Sequence, residues 1–576
     1  MIEKIKEKIY AYALKNAIEH EGKAEESKVI SALFHEGLKK EDISKIINDI
    51  KEQVKKVNFL PIEEQKKEFS NFKKLVSKRE ERVGLQNLPN AKKGKVVLRL
   101  APYPSGALHL GNAKTYLLNA LYAEKYKGKL LLIIDDTIGS KEKKIIPEAY
   151  KLIPEAFDWL KVKYKKPIIH KSHRLKIYYK YAEELINLGK AYVCSCSQQE
   201  LQKNRKIGRE CSCRQFPSDE QIKRWKKIFS AKPGDFTLRL KTSMQDANPA
   251  FRDRVLFRIS NEKHPKIGKK FRVWPMLEFS WAIDDYLLGI THILRGKDLM
   301  IESDMEKFIW DIFGWKHPEI IHCGLIRISG LENKISKSKA QKEVLSGQLI
   351  GWDDPRTWSV QSLRRRGFLA ESIREFVESI GLNSSDIIVP IESLYAINRK
   401  LIDLQADRYF FISEPIKLKI ENSPKISEIE IKIHPDKKEK RKIKIGNDLY
   451  ISRKDYENFL GKEIRLMHLF NIEIKGEQKA KFTSSENKNI HKLQWISDQG
   501  KFKEFSGPRK SERSEDFRGF MNARILMPEG NWISGVAEKA IKKLKSGKII
   551  QFERIGFVRF DKINEAGEYE FWFAHM

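Results

Sequence analysis

The sequence predicts a multidomain α/β protein with a helical N-terminal appendage, a doubly wound parallel sheet at its centre and β-barrels towards its C-terminal end. Three observations carry this reading. First, a buried-strand run at Lys95 to Leu100 (KVVLRL) passes through a Pro and Gly turn (APYPSG) into a helix, and a second apolar strand follows at Lys129 to Ile134. Two strands joined by a helix of this length make a βαβ unit, the nucleus of a nucleotide-binding sheet. Second, everything before that unit has a helical period. Third, from about residue 386 the texture changes to short alternating runs such as Ile429, Ile431, Ile433 and Ile443, Ile445, which read as hairpins and barrels.

Residues 1–92 are rich in Lys, Glu and Ile at helical spacing, broken at Gly22 and near Gly37 and reopened at Pro61. In the first βαβ unit Leu110, Ala113, Leu117 and Leu121 fall on one face of the crossover helix. With 576 residues, 41% of them apolar and 10% aromatic, the chain can form several cores, and a length prior gives roughly three to five domains. The expected boundaries are 1–92 for the helical domain, 93–191 for the first half of the sheet domain, 192–290 for an insertion, 291–385 for the second half, and 386–576 for the barrels. No repeat of fixed period is evident, which argues against a solenoid.

Lys and Arg total 111 against 78 Asp and Glu, a formal charge of +33. Such an excess suits a polyanionic partner, nucleic acid first among them, although a lysine-rich proteome gives the same count. The tract from Lys437 to Lys444 reads as a solvated hairpin tip or as a phosphate contact. No apolar run approaches the ~18 residues of a membrane span, and the opening MIEKIKEKIYAYALKNAIEH lacks a signal-peptide core, so a cytoplasmic protein is expected.

Four of five cysteines form two C-x-C pairs, Cys194 with Cys196 and Cys211 with Cys213. Two hairpin-like turns with two thiols each supply four soft ligands, enough for one structural zinc with no open coordination position; free thiols in a reducing compartment are the alternative. Cys323, beside His322, reads as a core thiol.

Between the first strand and its helix lies Pro104-Ser105-Gly106-Ala107-Leu108-His109-Leu110-Gly111-Asn112. This places His109 and Gly111 on the first turn of a helix whose free amides attract anions such as ATP phosphates. His109 can donate to charge that develops during attack at phosphorus, and Gly111 leaves room for a flat base. A His at a helix start is, taken alone, as readily a cap. Much later comes Lys334-Ile335-Ser336-Lys337-Ser338-Lys339, a lysine loop able to clamp pyrophosphate or simply to be solvated.

In this order, with the first segment on a βα turn, the two segments resemble the HIGH and KMSKS signatures of class I aminoacyl-tRNA synthetases. The likeness extends along the chain through VVLRLAPYPSGALHLGN, LLIIDDT, FSWAIDDYLLGITHILRGKD, SGLENKISKSK, GWDDPRTWSVQSLRRRG and KSGKIIQFERIGF, and NAIEHEGKAEESKVISALF resembles the family's N-terminal helical extension. This series is similar to the archaeal type of glutamyl-tRNA synthetase. It departs where the second His of HIGH is Asn112 and the Met of KMSKS is Ile335; neither position supplies the essential charge.

The resemblance implies a class I Rossmann-type catalytic domain with a zinc-bearing acceptor-stem insertion and anticodon-binding barrels. It implies Mg-ATP and L-glutamate as small substrates, tRNA for glutamate as partner with tRNA for glutamine as a second acceptor, and a monomer. Glutamate would attack the α-phosphate of ATP, and the terminal ribose hydroxyl of tRNA would then take the glutamyl group, both by positioning and charge stabilisation. His109, Gly111, Lys334, Ser336 and Lys337 would form the catalytic set, and Pro102, Ser105, Asn112, Asp298 and Lys339 would hold ATP. Arg99 and Arg295 would take the carboxylates of glutamate and Asp135 its ammonium, since an arginine fork pairs bidentately with a carboxylate. Glutaminyl relatives carry a neutral residue where Arg295 stands, so that position favours glutamate. Leu277 stands where the family usually has Tyr, which removes a hydroxyl from the pocket, and Trp274 or Trp281 is the candidate to reshape it. In the barrels Trp495, Phe552 and Arg554 are candidates for holding splayed anticodon bases, with the core as the alternative for both aromatics. A glutaminyl enzyme, a small-molecule adenylyltransferase and a catalytically silent RNA-binding paralogue are the competing readings.

Overall fold

The structure, a computed structural model, describes residues 2–34, 36, 38, 42–76, 84–139, 144–330, 337–446, 448–498 and 519–576. The chain forms two compact units, Met1–Val83 and Gly84–Met576. The first is helical, with α1 (Ile2–Glu19), α2 (Glu26–Phe34), α3 (Ile43–Asn58) and α4 (Ile62–Phe72). Ile46, Ile50, Val54 and Val57 recur at helical spacing and form the buried face of α3. The amide nitrogen of buried Gln65 faces the carbonyls of Gly22, Val57 and Leu60 at 2.9 to 3.0 Å, tying the turn after α1 to the end of α3.

The second unit opens with β1 (Val97–Leu100), α5 (Leu110–Lys125), β2 (Lys129–Ile134), α6 (Ala149–Trp159) and β3 (Lys165–His170), and the three strands pair in parallel. Helix α7 (Leu175–Asn187) then leads into an antiparallel insertion. Its members are β4 (Ala191–Cys194), α8 (Gln198–Ile207), α9 (Ser218–Ile228), β5 (Thr237–Leu240), β6 (Val255–Ile259) and β7 (Val273–Pro275). The chain returns through α10 (Leu277–Leu287) to β8 (His292–Gly296), α11 (Met300–Phe313) and β9 (Glu319–Cys323), with β8 and β9 parallel. Strand β8 lies against the free side of β1. The amide of Thr291 donates to the carbonyl of Val97 at 3.0 Å, and the amide of Val97 donates to Thr291 Oγ1 at 2.8 Å. The spatial order is therefore β3-β2-β1-β8-β9, which reverses between β1 and β8. Doubly wound sheets bind ligands outside the carboxyl ends of their strands at such a reversal.

Side chains alternate across the strands. Leu98, Leu100, Leu132 and Leu294 enter the core shared with α5 and α6, whereas Val97, Leu131 and Ile293 enter the core shared with α7, α10 and the insertion. Arg99, Asp135 and Arg295 have the parity of the second set, so strand periodicity delivers all three to the α10 side of the sheet. The segment Ile387–Pro390 adds a parallel strand beside Ile326–Ser329, and the helix Ile391–Ile402 follows it. The barrel strands accordingly begin at Asp407, later than the change of texture near residue 386 implies.

Two seven-stranded sheets follow. In one, the end strands Asp407–Tyr409 and Phe411–Ser413 flank Phe410; in the other, Lys492–Leu493 and Ile496–Asp498 flank Gln494 and Trp495. Because the two ends of each sheet are neighbours in the chain, each sheet must curl round on itself, which gives the barrel-like form predicted from the alternating pattern. The fold class is thus the one the sequence predicts.

Candidate active site and metal centre

The carboxyl ends of β1, β2 and β8 converge on one face of α10. Arg99 is 7% exposed and lies against the ring of Trp281, its Cζ 3.6 Å from the centroid. It donates through Nε and Nη2 to the carboxylate of Asp285 on α10, the latter bond at 2.8 Å. Arg295 is 5% exposed. Its Nη1 donates to Glu306 Oε1 at 2.9 Å and to Ser303 Oγ at 3.2 Å, and its Nη2 donates to Glu306 Oε2 at 2.7 Å. Arg295 is therefore a buried ion pair with α11 and not a surface one, and its fork is engaged by a protein carboxylate. Burial lowers the pKa of this guanidinium, but Glu306 more than offsets that and holds it above its ordinary value, while burial raises the Glu306 carboxyl. The two arginines meet at Asp285, whose Oδ2 lies 4.0 Å from Arg295 Nη2. Among the described residues buried Arg295 Nε has no hydrogen-bond partner, one donor left over in the pocket.

Asp135, at the end of β2, is 2% exposed. Its Oδ1 accepts from Thr137 Oγ1 at 3.1 Å, its Oδ2 accepts from Trp281 Nε1 at 3.0 Å, and Lys171 Nζ stands 3.4 Å from that same Oδ2. Of the two tryptophans proposed to fill the space near Leu277, Trp281 is the one among the charged groups, whereas Trp274 stacks on His264. Leu277 begins α10 and is half-buried. The neighbouring Asp136 has a different task. It accepts from Ser172 N and Oγ at 2.8 Å each and from Tyr150 Oη at 3.0 Å, which fixes the end of β3 against β2.

The segment expected to meet ATP leads into the start of α5. His109 is its N-cap: Nδ1 accepts from the amide of Asn112 at 3.4 Å. Gly111 makes room for this ring, because a Cβ there would stand 3.1 Å from His109 Cε1. Its smallness thus serves the histidine directly. Gly106 has φ +133°, and a Cβ would come within 2.1 Å of the Trp352 ring, so only glycine fits beneath that indole. Pro102 accepts from the Asp135 amide at 3.1 Å, and Ser105 is buried with its amide on Tyr103 O at 2.9 Å. Asn112 Oδ1 is buried without a partner among the described residues, and exposed Asp298 folds over Gly296 at the end of β8. These are an acceptor and a carboxylate suited to the hydroxyls or amine of a nucleotide. Lys334 and Ser336 lie outside the described residues. Lys337 opens the helix Lys337–Leu345, and exposed Lys339 lies 3.7 Å from Glu343 one turn on.

The four cysteines of the insertion come together, their sulfurs all within 4.8 Å of one another, with Cys194 and Cys211 3.7 Å apart. Zn–S bonds of ~2.3 Å at tetrahedral angles put sulfurs roughly 3.8 Å apart, so the cluster needs little adjustment to hold zinc. Two arginines face the sulfurs. Arg239 Nη1 lies 3.7 Å from Cys194 Sγ and 3.9 Å from Cys211 Sγ, and Arg224 Nη2 lies 3.7 Å from Cys213 Sγ. Four thiolates around one Zn²⁺ would carry a net charge of −2, which these guanidinium groups would offset. Cys323 is buried outside the cluster, in the core of the parallel sheet.

In the barrels Trp495 and Phe552 are fully buried, with Trp495 Nε1 donating to Met467 O at 2.9 Å. They are core residues and do not present faces to bases. Arg554 reaches Asp455 at 3.0 and 3.1 Å on the surface. In the tract from Lys437 to Lys444, Lys440 and Lys442 pair across the hairpin with Glu430 and Glu428, while Arg441 turns inward to Glu538. Sequence reasoning missed Lys171, Asp285, Ser303 and Glu306. Asp285 lies within the quoted FSWAIDDYLLG segment, and only its helical position relative to Trp281 could have pointed to the pocket.

Residues 95–404 match the family described as tRNA synthetases class I (E and Q), catalytic domain. Residues 406–491 and 492–561 match two anticodon binding domain families of the same group. Among curated proteins, the glutamate–tRNA ligase of Pyrococcus furiosus is 41% identical, with 96% of both chains covered. That of Pyrococcus abyssi is 40% identical over the same shares. That of Methanocaldococcus jannaschii is 37% identical over 98% of this chain and 99% of its own. With the parallel sheet, the His109 helix start and the converging charges already in place, these matches establish that the chain belongs to the class I tRNA synthetases of the E and Q type.

Proposed function

We propose that the chain is a glutamate–tRNA ligase, which activates L-glutamate with ATP to glutamyl-adenylate and transfers it to the 3′ end of tRNA for glutamate, with tRNA for glutamine as a second acceptor. The observation that carries this is the convergence of Arg99, Arg295 and Asp135 at the β1–β8 reversal, beside a helix start that carries His109. An ammonium site and two guanidinium groups in one water-poor pocket complement an amino acid with two carboxylates. The pairing of both arginines with Asp285 and Glu306 means that they act as a fixed, pre-oriented array, with Arg295 Nε as the donor to spare.

In this reading ATP arrives with its magnesium, its phosphates at the α5 amides and its ribose near Asp298. Asn112 Oδ1 takes a nucleotide donor. The glutamate carboxylate attacks the α-phosphate in line; His109 donates to the charge that develops there, and Lys334, Ser336, Lys337 and Lys339 receive the departing pyrophosphate. The cysteine cluster holds one structural zinc that shapes the insertion against the acceptor end of tRNA and takes no part in either step. The basic excess and the barrels serve the rest of the tRNA. In this reading the enzyme is a monomer in the cytoplasm beside its tRNA; among the described residues no helix is long and apolar enough to cross a membrane.

ATP–pyrophosphate exchange, run with glutamate or glutamine and with or without tRNA, tests the reading. Glutamate-dependent exchange and charging are expected. Exchange with glutamine alone would make this a glutaminyl enzyme, exchange without any use of tRNA a small-molecule adenylyltransferase, and no exchange a silent RNA-binding paralogue.

A further inference from the structure

The reaction described above does not use Lys171, a lysine with 0% exposure that follows β3. Its Nζ donates to Ser280 Oγ at 2.7 Å, lies 3.4 Å from Asp135 Oδ2, and sits 3.5 Å from the centroid of Trp281. An ammonium has three protons to donate. Here one goes to a neutral hydroxyl at full strength, the carboxylate contact is long, and a ring face completes the surroundings.

The charges nearby are balanced unequally. Arg99 has Asp285 and Arg295 has Glu306, each through two nitrogens. Asp135 is shared among Thr137, Trp281 and Lys171. Lys171 is therefore the most weakly neutralised of the three cations. When a substrate ammonium binds Asp135, it takes the one carboxylate in direct contact with Lys171; Asp284, already held by Arg174 and Tyr178, acts on that ammonium only through space. An ammonium stranded in a water-free site is costly, and a substrate carboxylate placed beside it removes that cost.

We propose that Lys171 is a specificity-determining residue of the amino-acid pocket, its ammonium receiving a carboxylate of the substrate as the substrate's own ammonium occupies Asp135. This rests on the reading of the chain as a glutamate-activating enzyme. It also accounts for how a pocket whose two arginines are already paired selects an acidic amino acid.

The test is Lys171→Met, close in length and without charge, in the full chain, with glutamate varied in tRNA-supported ATP–pyrophosphate exchange and glutamine as competitor. KM for glutamate should rise at least about tenfold, the factor carried by ~1.4 kcal/mol, while KM for ATP stays within about twofold. If glutamine inhibition is unchanged, the carboxylate is that of the side chain, as the proposal requires. If glutamine weakens in parallel, Lys171 meets the α-carboxylate that every amino acid carries, and its role in specificity is overturned. An unchanged KM for glutamate overturns it. Because Lys171→Met leaves Asp135 short of a cation and can unfold the pocket, Ser280→Ala is measured beside it. That variant keeps the ammonium, removes its hydroxyl acceptor, and should bind glutamate at least as well as the parent. A loss equal to that of a misfolded Lys171→Met would show that polar packing and not the cation matters, and would also overturn the proposal. Wild-type protein without glutamate-dependent exchange would instead remove the underlying reading, whatever the variants do.

Discussion

Arg295 and Glu306 form a closed two-bond pair inside the protein, Nη1 to Oε1 at 2.9 Å and Nη2 to Oε2 at 2.7 Å, with both side chains almost wholly removed from water. Removing one partner of such a pair leaves the other as a stranded buried charge, at a cost of about 3 to 5 kcal/mol. Arg295→Ala should therefore lose both stability and glutamate activation. The double variant Arg295→Met/Glu306→Leu removes both charges and should recover most of the melting temperature. If Arg295 also serves the substrate through Nε, kcat/KM for glutamate stays at least about a hundredfold down in the double variant. Recovered activity would reduce Arg295 to a structural role.

His109 caps α5, and the proposed reaction gives it a second, separable duty, donating during attack at phosphorus. His109→Ala should cost about 1 kcal/mol through the lost cap and about 10²- to 10³-fold in adenylate formation. His109→Asn keeps a capping oxygen, so thermal melting should return to near the parent value while exchange stays slow. Equal recovery of both would contradict the catalytic assignment.

Purified protein should carry about one zinc per chain by elemental analysis. Cys211→Ser should lower both the metal content and the melting temperature, because metal binding contributes directly to the folding of such sites. Fully stable, metal-free protein would refute the zinc centre.

His575 stays neutral at pH values where a surface histidine has already taken up its proton. It is fully buried, Nε2 faces Asn398 Nδ2 at 2.9 Å and Nδ1 faces the Met576 carbonyl at 2.9 Å, and burial pushes its pKa down to about 4 from an ordinary 6.5. The folded state thus prefers the neutral ring. The stability it contributes is present above pH 6.5 and declines as pH falls towards 4, by about 3 kcal/mol in all. Denaturant melts between these pH values should show that slope, and His575→Gln should flatten it.

How much of this could be read from residues alone follows from the range of each interaction. The β1–α5–β2 unit and the parity of Arg99, Asp135 and Arg295 are local and periodic, so the strand pattern exposes them. The two C-x-C turns reveal a cluster able to hold a metal because the thiols come in pairs. The partner of Arg99 and the surroundings of Lys171 are different. Asp285 is 186 positions from Arg99, and Lys171 is 109 from Ser280, and only the packing of α10 against the sheet brings them together. Trp495 shows the converse limit, since an aromatic in a basic barrel reads equally well as a base platform and as core until burial decides.

The measurement that bears most directly on the account is the charging of total tRNA, from the organism that encodes the chain, with labelled glutamate or glutamine. The account predicts ATP-dependent attachment of glutamate to tRNA for glutamate, extending to tRNA for glutamine, with little glutamine attached. Attachment of glutamine in preference to glutamate, or of neither, would contradict it.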